Sequence, residues 1–93
     1  MSYKVGDVVT VVSMLGEVIG KLTKETKDFV ELGDPRLFVP GENGSGGFSP
    51  GLCMTGQTKL SEAQFNKAVV LTVVPAHESI ANGWREATSG IIL

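Results

Sequence analysis

Apolar residues concentrate in short runs along this chain, and their spacing defines most of its elements. Val8–Leu15 is dense in β-branched residues, with Val8, Thr10, Val12 and Met14 on one parity and Val9, Val11, Ser13 and Leu15 on the other. Both sides are mainly apolar, which predicts a first strand over 8–15 covered on both faces. Gly16 permits a reversal, and 17–25 then alternates, with Val18 and Leu22 on one side and Glu17, Lys21, Thr23 and Glu25 on the other. A third strand is predicted over 28–39, where Val30 and Leu32 share a face opposite Phe29 and Glu31. Within it, Pro35 donates no ladder hydrogen bond and biases Asp34 away from helix, so a bulge is expected there. Pro40–Gly47 reads as a glycine-rich hairpin loop, and 48–54 as a fourth strand that Pro50 confines to an edge or a bulge. Ser61-Glu62-Ala63-Gln64 has capping-box spacing and predicts one helical turn. A fifth strand over 67–74 is apolar on both parities and ends at Pro75. From there Ala76, Ile80, Trp84 and Ala87 form a helical stripe, predicting a helix over 76–88 despite Gly83 within it.

Five strands followed by one C-terminal helix define an all-β class, a small, strongly bent antiparallel barrel forming a single domain over residues 1–93. At 93 residues, 12 of them glycine, the core is thin, and surfaces left open are expected to be covered by a ligand or by other copies of the chain. Eight Lys and Arg stand against ten Asp and Glu, a formal net charge of −2, which removes the strongly basic face expected of a protein that binds double-stranded DNA. The lone Cys53 forms no internal disulfide, and with only His77 beside it in the inventory no structural zinc set exists. Neither a signal segment nor an apolar run long enough to cross a bilayer is present, so the expected location is the cytoplasm, with no membrane partner.

The stretch Leu15-Gly16-Glu17-Val18-Ile19-Gly20-Lys21-Leu22, followed by a turn and Phe29-Val30-Glu31-Leu32, resembles the first signature of the Sm/LSm superfamily, to which the Hfq-related proteins belong. The order of elements is similar to that of the short Sm-like proteins of tailed phages, including cyanophages. They share the Asp34-Pro35-Arg36 step, the glycine-rich loop before strand four and the Pro-led helix with a late aromatic. The resemblance covers about residues 5–88 and implies an Sm-like, SH3-like barrel that assembles head to tail into a homo-oligomeric ring and binds single-stranded RNA near its pore. Several positions depart from the pattern. Three residues rather than four separate Gly16 from Gly20, the usual acidic position falls on Thr26 or Lys27, and the usual asparagine falls on Val30. The Arg-Gly or Lys-His pair of the second signature would fall near Val73-Val74.

Phe29, at the mouth of the strand two–three loop, is placed to stack a base, with Lys24 and Lys27 in the same loop to meet phosphates. The competing reading packs Phe29 into the barrel end and leaves the lysines as a solvated turn among Glu25 and Asp28. Arg36 has the fork geometry for a phosphate or a carboxylate, or it pairs with Asp34, Glu31 or a neighbouring subunit. His77 is expected to cap the helix or face solvent, and Cys53 to be a buried or interface thiol. No set of titratable side chains converges in sequence, so neither a catalytic centre, a metal site nor a cofactor is expected. Two functions remain open: a ring that binds single-stranded RNA, and an oligomeric protein-interaction or structural module that retains the barrel without binding RNA.

Overall fold

In the computed structural model, residues 3–14, 16–41, 46–52, 55–57 and 60–89 are described. They form six strands and one helix: β1 (Val8–Ser13), β2 (Gly16–Glu25), β3 (Phe29–Pro40), β4 (Gly46–Phe48), β5 (Glu62–Asn66), β6 (Val70–Pro75) and α1 (Glu78–Thr88). All pairings are antiparallel, in the order β4-β3-β2-β1-β6, with β5 also on β3. The all-β class with one C-terminal helix is as the sequence predicts.

The strand count and closure differ from the prediction. Glu62–Asn66 is a strand, not a helical turn, because Ala63 and Phe65 alternate with exposed Glu62, Gln64 and Asn66. Phe65 packs against the core, and the outer edge of Phe29–Gly33 takes this segment as its ladder partner. The fourth strand stops at Phe48 instead of running to 54. Ser49 still bonds the Leu37 carbonyl, but Pro50 has no N–H to continue the ladder, and Cys53 and Met54 lie outside the described residues. The fifth expected strand begins three residues late, since Asn66 closes a turn by accepting from Ala68 N through its side chain and from Val69 N through its carbonyl. The sheet does not close, since among the described residues β6 bonds only to β1 and β5 only to β3.

Strong bending gives the sheet an inner face built from Val9, Val11, Val18, Leu22, Val30 and Leu32. The opposite face of β1 and β2, where Thr10 and Ile19 are also buried, lies on the side of α1. Both sides of β1 are therefore covered, as its composition predicts, although Met14 just beyond it is 83% exposed. The helix buries Ala81 and Trp84 and leaves Ala87 exposed, so its apolar stripe is rotated from the expected one. Gly83 has a packing role: Phe48 lies 3.2 Å from where its Cβ would be, so α1 meets β4 over a helix surface with no side chain.

The principal irregularity lies in β3. Ile19 faces Arg36 and Lys21 faces Gly33, so the single residue Gly20 opposes the pair Asp34-Pro35. Asp34 has φ of 48°, a left-handed conformation that aspartate tolerates better than most residues. Its freed groups are used elsewhere, the N–H donating to the Ser61 carbonyl and the carbonyl accepting from the Trp84 indole at 2.8 Å. Pro35, buried, has no N–H to satisfy. Gly20 is required by space, because an added Cβ would sit 2.9 Å from Leu32 Cβ and 3.0 Å from the Gly33 carbonyl oxygen. Gly20→Ala is therefore expected to destabilise the fold by about 2 kcal/mol or more, read as a lower urea midpoint. An unchanged midpoint would refute the close approach.

Candidate nucleic-acid interface

Three of the four predicted site residues come together at one end of the sheet. The β2–β3 turn is built by Thr26, whose hydroxyl accepts from Asp28 N and Phe29 N, both at 3.1 Å, while its own N–H donates to the Phe29 carbonyl. This turn presents Lys27 to solvent and starts β3 at Phe29, which is half-buried. The Lys24 ammonium lies 5.8 Å from the Phe29 ring centroid, a cation–π contact. Phe29 is thus an aromatic surface partly covered by packing and partly by a lysine. Arg36 does not join it. It stands opposite Ile19, beyond the Asp34-Pro35 bulge and roughly 20 Å along the strand from Phe29, and it forms an ion pair with neither Asp34 nor Glu31.

The structure adds residues to this end that the linear sequence did not bring together. Lys67 N donates to the Asp28 carbonyl at 2.9 Å, drawing the β5–β6 turn against the β2–β3 turn. The Lys67 ammonium reaches Glu25 Oε2 at 2.8 Å, the one ion pair among the described residues. Tyr3 reaches the same oxygen with its hydroxyl at 3.0 Å. Its position is held by the N-terminal segment, where Gly6 N donates to the Leu22 carbonyl and Leu22 N to that of Asp7, both at 2.8 Å. Donation from Lys67 is the main reason the Glu25 carboxyl titrates below its ordinary range; partial burial opposes this and the Tyr3 hydroxyl assists. Burial, followed by the hydrogen bond to Glu25, raises the Tyr3 hydroxyl.

On the neighbouring surface, Glu31 accepts from Gln64 Nε2 at 3.0 Å and from Thr23 Oγ1 at 2.8 Å. These bonds, with the charge of Lys24 nearby, hold its carboxyl below the usual carboxylate range. Lys24 forms no ion pair with Glu31 and lies over Phe29. The surface as a whole is balanced, with Lys24, Lys27 and Lys67 set among Glu25, Asp28 and Glu31.

His77 is the N-cap of α1, its Nδ1 accepting from Ser79 N at 3.3 Å. It borders an open groove of about 310 Å³ with Thr10, Glu17, Ile19, Val74 and Ile80. Among the described residues no group of three or more His, Cys, Asp or Glu is gathered to hold a metal ion, and no helix is long and apolar enough to cross a membrane. Compared with models of known protein families and with curated proteins, the chain matches none.

The Glu31 carboxyl is lowered on folding, so its ionised form contributes stability above its unfolded value of 4.5. That contribution is lost as pH falls through the lower folded value. Thermal melts of the wild type are expected to lose more stability between pH 5 and pH 3 than those of Glu31→Gln; equal losses would remove the Thr23–Glu31–Gln64 network from the account.

Proposed function

We propose that this chain is an Sm-like module that assembles head to tail into a homo-oligomeric ring and binds single-stranded RNA at the end carrying Lys24, Lys27 and Phe29. The observation that carries the assembly is that, among the described residues, β5 and β6 each leave one strand edge unpaired. They belong to consecutive strands of five and six residues. The β6 segment, Val-Leu-Thr-Val-Val-Pro, contains no charge that would block pairing, and Leu71 on it is 68% exposed. Pairing β5 of one copy with β6 of the next is a heterologous contact, which generates a ring when its rotation closes. The all-β class with one C-terminal helix and the bulge at Asp34-Pro35 support this reading; the open sheet and the three-residue spacing of Gly16 and Gly20 depart from it.

The RNA reading rests on Phe29 as a stacking surface beside lysines from two adjoining turns. A second reading, an oligomeric protein-interaction or phage-type structural module without RNA binding, is favoured by the matched carboxylates Glu25, Asp28 and Glu31 at that end and by the overall charge of −2.

Size-exclusion chromatography with light scattering is expected to give a multiple of 9.8 kDa, and Leu71→Lys to give the folded monomer. A wild-type monomer would overturn the assembly. Filter binding to oligo-U and oligo-A at two salt concentrations is expected to show salt-sensitive binding that Phe29→Ala weakens about tenfold or more, one stacked base contributing ~1–3 kcal/mol. Absence of binding at low salt would leave the protein-interaction reading standing.

A further inference from the structure

We infer that Lys67 and Tyr3 form a subsite for a phosphoryl oxyanion, and that Glu25 occupies it from within the chain. The observation is a convergence. Residues 3, 25 and 67, from the N-terminal segment, the end of β2 and the β5–β6 turn, meet at one atom, Glu25 Oε2. That oxygen receives a cationic donor at 2.8 Å and a neutral hydroxyl donor at 3.0 Å. One cation and one hydroxyl directed at a single anionic oxygen are equally suited to a phosphate oxygen. The backbone that carries each donor is held by bonds that do not involve Glu25. The Lys67 turn is fastened to Asp28, and the Tyr3 segment to Leu22 through Gly6 and Asp7. The backbone frame of the cradle therefore does not depend on the carboxylate that fills it.

Glu25 is also replaceable as an occupant. The side chains of Lys67 and Glu25 are 34% and 27% exposed, and an ion pair this open contributes only about 0–1 kcal/mol. A polyanion that brings several phosphates to the same end can displace it. The backbone bond from Lys67 to Asp28 sets the subsite directly beside the turn that presents Lys27. The inference rests on reading this end as the RNA-contacting surface and specifies its regulation: an internal carboxylate lowers affinity for phosphate until a ligand with enough phosphates competes it away.

The probe is inorganic polyphosphate, which has no bases, alongside oligo-U, both titrated against the intact protein. Glu25→Gln keeps an acceptor for Tyr3 but removes the charge that holds Lys67. It is expected to tighten polyphosphate binding about three- to tenfold at low salt and to steepen the salt dependence, as one more phosphate contact should. Glu25→Asp, which keeps the charge but is one methylene shorter, is expected to give a smaller gain. It serves as the second variant should Glu25→Gln fold poorly. Glu25→Gln combined with Lys67→Met should lose the gain, and Glu86→Gln, an equal charge change on the exposed face of α1, should produce none. Polyphosphate binding by Glu25→Gln no tighter than wild type, including no binding by either, overturns the subsite. So does an equal gain in Glu86→Gln. The gain is expected to survive Phe29→Ala, so a protein that binds polyphosphate but not oligo-U would sink the RNA reading and leave the subsite intact. Oligo-U binding with no gain in Glu25→Gln does the reverse.

Discussion

The close approach of β2 to β3 at Gly20 governs the arrangement of nearly every other element. With no Cβ at that point, two residues of β3 are accommodated against one of β2, and β3 is crimped at Asp34-Pro35. The crimp divides the outer edge of β3 in two. Phe29–Gly33 receives β5, and Phe38–Pro40 receives β4. It also turns a carbonyl out of the ladder toward Trp84, so the same irregularity that bends the sheet fastens the helix. A buried indole needs such a partner, and a regular strand would have had no free carbonyl to supply.

The elements that follow from local chemistry were legible in the sequence. The meander of β1, β2 and β3 could be read from alternation and from Gly16, and the bulge from Pro35, because a missing N–H and a missing Cβ act wherever the chain goes. Errors arose where a distant partner decided the outcome. Ser61–Gln64 has good helix-start spacing, yet the unpaired edge of β3 draws the segment into a strand and Phe65 into the core. On α1 Trp84 is buried as its spacing predicts, but Ala81 rather than Ala87 shares its face, and Phe48 packs over Gly83. At the candidate site, Lys24, Lys27 and Phe29 adjoin in sequence and were found together. Tyr3 and Lys67 carry no local signal, and only the folded chain brings them to Glu25.

The balance of charge at that end gives the site its character. Two of the lysines are engaged, Lys67 by Glu25 and Lys24 by the Phe29 ring, and Lys27 is followed in sequence by the opposite charge of Asp28. On the proposed reading, such a surface would hold little attraction for a lone anion and would respond to ligands that offer several phosphates, a base to stack, or both. In a ring, repetition of the same end in every subunit would turn weak individual contacts into a cooperative surface. Three lysines that cancel locally are thus compatible with binding that is selective for extended ligands.

The pairing of β1 with β6 has a consequence for how the protein is made. Val9 lies opposite Pro75, and Thr10 opposite Val74, so the first of the six strands pairs with the last. Until that pairing forms, β1 has β2 on one side and an open apolar edge on the other. Joining these strands closes a loop that runs from residue 14 to residue 69, and long-range pairing of this kind is slow relative to hairpin formation. The contacts of the β1–β2–β3 meander are local, whereas the cover on the outer edge of β1 comes from the far end of the strand order. A second copy's β6 carries the same hydrogen-bonding pattern, so the β1 edge is the place where this topology admits exchange of an identical strand between copies.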